Sequence, residues 1–202
     1  MNLPFNWFDI AIPIVLVFGV TRGRKHGMSE ELMLVLKWIA IIFGCAFGYE
    51  LIGDTLAEAT FLNRLQGYIT AYIGIALIIA GVFFLIKKLS HGKLIGSDVF
   101  GSGEYYLGMA AGLVRYACIL VFVMSLINAP LYTQAEIKAD LKYQNEWYGS
   151  DFFPGFRTLQ SQVFESSFTG PYIKQGIGPL FIKSTPSERK GLRRSKTVDL
   201  PS

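Results

Sequence analysis

The chain has 202 residues, of which 51% are hydrophobic and 17% are charged, and its mean hydropathy is +0.39. This composition is more apolar than that of an average soluble domain. The net charge of +4 comes largely from basic residues beside the apolar stretches or near the C-terminus, without an aromatic-interleaved basic stripe, which argues against nucleic-acid binding. The composition therefore predicts a membrane protein.

Four apolar stretches are each long enough to cross a bilayer as a helix, because about 20 residues span a hydrocarbon core about 30 Å thick. The predicted spans cover residues 3–20, 32–49, 68–86 and 105–127. In lipid, backbone groups must be paired within their own segment, and four segments are too few to close a barrel. The predicted fold is all-α: a polytopic membrane protein with four transmembrane helices in residues 3–128 and a C-terminal extramembrane tail.

The loops between the predicted spans alternate in charge. Three basic residues lie in the first loop, one in the second and three in the third, namely Arg22, Arg24, Lys25, Arg64, Lys87, Lys88 and Lys93. Loops rich in Lys and Arg stay in the cytoplasm. We therefore expect the N-terminus and the C-terminal tail to lie outside the cytoplasm.

Small residues recur at helical spacing in three of the predicted spans. Such spacing lets two helix backbones approach closely in lipid, where no hydrophobic force drives helices together. The candidate packing residues are Gly44, Gly48, Gly74, Gly81, Gly108 and Gly112. Glycine is also frequent in membrane helices in general, which leaves each single pair open. Together they predict a compact bundle or the contact face of a homo-oligomer.

Two ionisable residues lie far from any predicted water interface: Asp9 in the first span and Arg115 in the fourth. Arg115 is about ten residues, or about 15 Å, from the cytoplasmic end of its span. A charge there is unfavourable unless it snorkels, pairs or faces water. We predict an Asp9–Arg115 pair inside the bundle. Three interpretations stay open: a structural pair that fixes helix register, a polar pathway or binding site, and two unrelated snorkelling groups.

The tail, residues 129–183, is predicted to contain short amphipathic helices. One covers residues 135–144, and a second begins after Pro154 and could lie on the membrane surface or dock on the bundle. The residues on the apolar face of the second helix are Phe156, Leu159, Val163 and Phe164. Residues 184–202 are polar and basic, and we expect them to be disordered.

The sequence indicates no catalytic, metal or cofactor site. His26 and His91 stand in basic loops without an acidic or cysteine partner at metal-ligand spacing. The glycine-rich run at 101–103 lacks the lysine that follows in a phosphate-binding loop. We therefore expect a protein that is not an enzyme.

Several short motifs follow one another in a fixed order. An aromatic residue precedes an acid by two places, an R-G-x-x-x-G sequence is followed by an acid, and an acid-x-x-x-G-x-x-x-G-x-x-R sequence leads into the last span. Their residues are Trp7, Asp9, Arg22, Gly23, Gly27, Glu31, Glu104, Gly108, Gly112 and Arg115. In order and spacing, the chain resembles the colicin V production protein (CvpA) family of small bacterial inner-membrane proteins over roughly residues 5–165.

The resemblance implies a multi-pass protein of the bacterial inner membrane that takes part in colicin V (toxin) production or secretion and in envelope maintenance. The expected partners are the lipid bilayer, a second copy of the chain, and a secretion or envelope protein. An oligomeric channel or small-solute transporter, with Asp9 and Arg115 lining its path, is the alternative. Tyr105 and Tyr116 depart from the residues usual in the family, so contacts specific to those two positions are not carried over.

Overall fold

The computed structural model describes residues 6–89, 101–132 and 155–186. Its α-helices in these ranges are α1 (Trp7–Ala59), α2 (Arg64–Leu89), α3 (Glu104–Asn128), α4 (Phe156–Ser161) and α5 (Thr169–Ile177). Single 3₁₀ turns occur at Gly101–Gly103 and Gly178–Leu180, and a π-helical turn at Gln162–Ser166. Strands β1 (Pro130–Leu131) and β2 (Thr185–Pro186) pair in parallel. The predicted helix at 135–144, His91, Lys93 and the basic region from residue 187 onward lie outside the described residues.

Helices α1, α2 and α3 are each long and apolar enough to cross a membrane. Many of their large apolar side chains point away from the bundle, as Phe47 and Leu77 do with 80% and 67% of their surface exposed. Apolar surface on this scale is unfavourable in water and is stable in contact with lipid. The predicted helical fold is thus confirmed, with three helices that are long and apolar enough to span a membrane.

Helix α1 is broken at a single residue, Gly27, whose φ of 74° and ψ of 172° are not helical. A side chain is strained in this conformation, and glycine adopts it readily. We call residues 7–26 segment α1a and residues 28–59 segment α1b. The predicted first loop is therefore not a loop, because residues 21–31 are helical apart from Gly27.

Contacts with α3 show how the two segments run. Between α1a and α3, residue numbers rise in one helix and fall in the other: Gly19 faces Gly112, Gly23 faces Gly108 and Gly27 faces Glu104. Between α1b and α3, both numbers rise: Glu31 contacts Arg115, and Trp38 contacts Phe122. Segment α1a is therefore antiparallel to α3 and α1b is parallel to it. The chain reverses direction at Gly27.

Helix α2 packs against α1b, and the predicted packing glycines divide between contact and open surface. A Cβ added at Gly44 would lie 2.6 Å from the tip of Ile79, so this glycine faces α2, as does Gly48. A Cβ at Gly74 or Gly81 would meet no atom within 4 Å. Helix α2 packs on α1b through a face that buries Tyr68, Ala71, Tyr72 and Ala76. The prediction of packing within the bundle is therefore wrong for Gly74 and Gly81, and the contact face of a homo-oligomer stays a prediction for them.

The tail docks on one end of the bundle. Val163 and Phe164 form a buried cluster with Phe8 of α1a and Met124 of α3, while Phe156 is 52% exposed. The sequence left two positions open for the second tail helix, the membrane surface and the bundle. In the structure, this helix docks on the bundle. We call this the Asp9 end, and the opposite one the Gly27 end.

Residues 181–186, which we call the strap, continue the tail across the Asp9 end. The Ser184 hydroxyl donates to the carbonyl of Asn128 at 2.9 Å, and the Thr185 amide donates to the carbonyl of Ala129 at 2.9 Å. The prediction that disorder begins at residue 184 is therefore wrong for residues 184–186. They are ordered by hydrogen bonds to backbone carbonyls at the end of α3.

Candidate functional site

The polar groups buried in this apolar bundle mark its most constrained positions. Among the described residues, the buried carboxylates are Asp9, Glu31 and Glu104, which are 6%, 1% and 9% exposed. Arg115 is also mostly buried, with 13% of its side chain exposed. A charge removed from water needs hydrogen bonds or an opposite charge. The site is described below by what compensates each of these groups.

Segment α1a and α3 touch through their backbones. A Cβ on Gly23 would lie 2.1 Å from the carbonyl oxygen of Gly108, and one on Gly112 would lie 2.2 Å from that of Gly19. Real Cβ atoms do not approach so closely, so each position admits only hydrogen. We call these four residues the glycine crossing. Gly19 was not among the predicted packing residues, although its four-residue spacing to Gly23 and Gly27 was a readable signal.

Glu104 lies at the Gly27 end, beside the point where the chain reverses. Its Oε1 accepts a hydrogen bond from the backbone amide of Ser29 at 2.6 Å, and a Cβ on Gly27 would lie 2.8 Å from the same oxygen. Glu104 is also the first residue of α3. The carboxylate therefore lies between the N-termini of α1b and α3, whose partial positive charges stabilise it.

Arg115 pairs with Glu31. Its Nη1 lies 2.9 and 2.8 Å from the two carboxylate oxygens of Glu31, and its guanidinium lies over the ring of Tyr116 at 5.3 Å from the centroid. Glu31 follows Gly27 by one helical turn on the segment that runs parallel to α3. This pair joins α1b to α3 inside the bundle.

The Asp9–Arg115 pair that the sequence predicts is not formed. Phe8, next to Asp9, packs in the same cluster as Met124. The antiparallel course of α1a places Asp9 about two turns along α3 from Arg115. The two charges therefore belong to separate clusters.

Asp9 is held by hydrogen bonds instead of a cation. Its Oδ1 accepts from the Thr169 amide at 2.9 Å and the Thr169 hydroxyl at 2.6 Å. Its Oδ2 accepts from the amides of Phe168 and Asn6, both at 3.0 Å. Asp9 thus caps α5 and its own helix, and four donors fill its two oxygens. We call this cluster the Asp9 clasp.

Two family-motif residues outside these clusters differ in role. The Trp7 indole donates to the Gln162 side chain at 2.8 Å, which adds a second link between the start of α1 and the tail. Arg22 is exposed on α1a, and its side chain has no ion pair within the ranges that the structure describes.

The strap is held by polar side chains that the sequence reasoning missed. The Ser125 hydroxyl accepts from the Ile182 amide at 3.0 Å, and the Asn128 side chain donates to the Ile182 carbonyl at 2.9 Å. The Tyr49 hydroxyl accepts from the Lys183 amide at 3.1 Å. Polar residues late in an apolar span, such as Ser125 and Asn128, were the available signal.

These clusters hold parts of the chain together. Each buried charge has a hydrogen-bond partner on a second helix or on the tail, so the clusters join parts of the chain to one another. Among the described residues, Glu104 Oε2 and Arg115 Nε have no hydrogen-bond partner. In the part of the chain that the structure describes, no three His, Cys, Asp or Glu side chains come together as a metal site.

The comparison with known families gives a match to the model described as colicin V production protein over residues 8–161. The chain belongs to the colicin V production protein family. The resemblance drawn from the order of its motifs is thereby confirmed. The family match includes Asp9, the glycine crossing and the Glu31–Arg115 pair, and it ends at the last residue of α4, before Thr169 and the strap. No curated protein and no solved structure matches the chain.

Replacing Gly23 of this family member by alanine should destabilise the protein by about 1–3 kcal/mol, because the new methyl group meets the backbone of Gly108. The measurement is unfolding of the purified protein in detergent micelles. Gly74→Ala is the matched control: its methyl group meets open space, and alanine favours the helix by about 0.5–1 kcal/mol. Equal effects of the two substitutions would contradict direct backbone contact at the crossing.

Replacing either member of the Glu31–Arg115 pair should destabilise the protein by about 3–5 kcal/mol, because the remaining charge is buried without a partner. The variants are Glu31→Leu, Arg115→Met and the double change, compared in the same unfolding measurement. The double variant should be far less destabilised than the sum of the two single variants. Additive losses would show that the two residues are not energetically coupled.

Proposed function

We propose that α1a, α1b, α2 and α3 each cross the bilayer, giving four spans. The reversal at Gly27 supports this arrangement, since α1a and α1b run in opposite directions and each is at least as long as a span. The charges support an orientation with the Gly27 end in the cytoplasm. Basic residues near that end are Arg22, Arg24, Lys25, Lys87 and Lys88, and acidic residues toward the other end are Glu50, Asp54 and Glu58.

The N-terminus and the tail then lie outside the cytoplasm, in the orientation expected of an inner-membrane protein in a bacterium.

Reporter fusions test this topology. Alkaline phosphatase fused after Pro130 should be active, because it folds only outside the cytoplasm, and the same reporter fused after Lys88 should be inactive. The reverse pattern would invert the proposed orientation.

The protein's proposed role is that of a non-enzymatic factor in toxin production or secretion and in envelope maintenance. The observation that carries this proposal is the match to the colicin V production family over residues 8–161. The family-motif residues in the buried clusters support a scaffold, because they hold helices together. A secretion or envelope protein is the proposed partner.

The geometry does not favour the alternative of a channel or transporter. Such a path would be lined by Asp9 and Arg115, but Asp9 is enclosed by donors from the tail and Arg115 is paired with Glu31. A scaffold needs these charges fixed, whereas a polar pathway needs them accessible to a solute.

Deletion of the gene in a bacterium that makes a colicin V type toxin tests the role. The amount of toxin in the medium should fall, and the wild-type protein and Gly74→Ala should restore it. Glu31→Leu should fail to restore it, because it leaves the charge of Arg115 buried without a partner. Glu31→Leu combined with Arg115→Met should succeed, because a scaffold tolerates the loss of both charges.

Two results would contradict the proposal. Unchanged toxin release after deletion would separate the chain from toxin production. An ion or solute flux in proteoliposomes that disappears with Arg115→Met would favour the channel alternative, since a scaffold should pass no solute.

A further inference from the structure

An open groove of about 670 Å³ lies at the Gly27 end, between α1a and α3. Its lining residues are Thr21, Arg24, Lys25, Tyr105, Tyr106 and Met109. Those from α1a are three and four positions apart, and so are Met109 and the two tyrosines on α3, so each set shares one helical face. The groove is therefore formed by two faces that flank the glycine crossing.

The charge of the groove is positive where the structure describes it. Among the described residues, no acidic side chain lines it. Arg24 and Lys25 are exposed, and within the described ranges neither forms an ion pair. Arg64 and Arg115, by contrast, each have a carboxylate partner. The groove thus offers two free cations to a ligand.

Its remaining side chains suit the boundary between water and lipid. Tyr105 and Tyr106 are 61% and 74% exposed, and tyrosine is enriched at the headgroup level of membranes. Toward the middle of the helices, the neighbouring surface is apolar and exposed, with Phe18 on α1a and Leu113 on α3. A ligand that fits both parts has an anionic head and an apolar body.

We propose that this groove binds an anionic phospholipid of the cytoplasmic leaflet, with its phosphate between Arg24 and Lys25. The inference rests on the membrane orientation given under the proposed function. Guanidinium and ammonium groups bind phosphate oxygens through charge-assisted hydrogen bonds. Basic pockets between transmembrane helices on the cytoplasmic side are suited to phospholipid headgroups. The exposed apolar surface beside the groove favours a lipid over a free anion, which would gain nothing from it.

The test measures binding of phosphatidylglycerol to the full-length protein purified in neutral detergent, by native mass spectrometry. Arg24→Gln with Lys25→Gln should weaken binding about thirtyfold, because each basic contact near a membrane surface strengthens binding about fivefold. Lys87→Gln with Lys88→Gln is the matched control, since it removes the same charge near the same end but outside the groove. It should bind as the wild type does.

A second variant keeps the test decisive. Arg24→Lys with Lys25→Arg preserves both charges and should retain binding, whereas loss of binding in that variant and in the control alike would overturn the proposal. Equal weakening by the two glutamine variants would indicate diffuse attraction. Competition by inorganic phosphate at the concentration of the lipid would indicate a free-anion site. Because binding is measured on purified protein, it can succeed or fail independently of toxin release.

Discussion

Backbone contact at the glycine crossing determines where Glu104, Glu31 and Arg115 lie. Because Gly23 and Gly108 touch without side chains, the end of α1a is held beside the start of α3. Gly27 then lies against Glu104, whose carboxylate receives the amide of Ser29 at the start of α1b. The reversal sends α1b along α3 and brings its carboxylate to Arg115. A side chain at the crossing would push α1a away from α3. It would therefore disturb both the Glu104 contact and the pair with Arg115.

The three buried carboxylates are compensated in two ways. Asp9 and Glu104 each lie between the N-termini of two helices, where backbone amides and the helix dipole stabilise a negative charge. Glu31 is instead neutralised by a cation, Arg115. Helix ends thus replace counterions at two positions, and the bundle needs only one buried arginine for three acids among the described residues.

The sequence was sufficient for what depends on composition and periodicity. Apolar length predicted membrane helices, and motif order predicted the family. The partner of Arg115 could not be predicted, because counting residues gives depth along one helix but not the register between helices. Gly27 was visible as a motif residue, but its φ was not. Gly74 has the spacing of a packing glycine but contacts no other helix among the described residues. Spacing alone does not tell which face of a helix is buried.

The Asp9 clasp joins residues that are 159 and 160 positions apart in the chain. The ribosome therefore completes all three long helices before it makes the amides that enclose the carboxylate of Asp9. Until the tail is made, the start of α1 has only its own capping bonds, and Asp9 lacks the donors that the tail supplies. A tail segment that is made late in synthesis thus closes over the first helix. A chain cut short before residue 168 would lack three of the four donors to the carboxylate of Asp9.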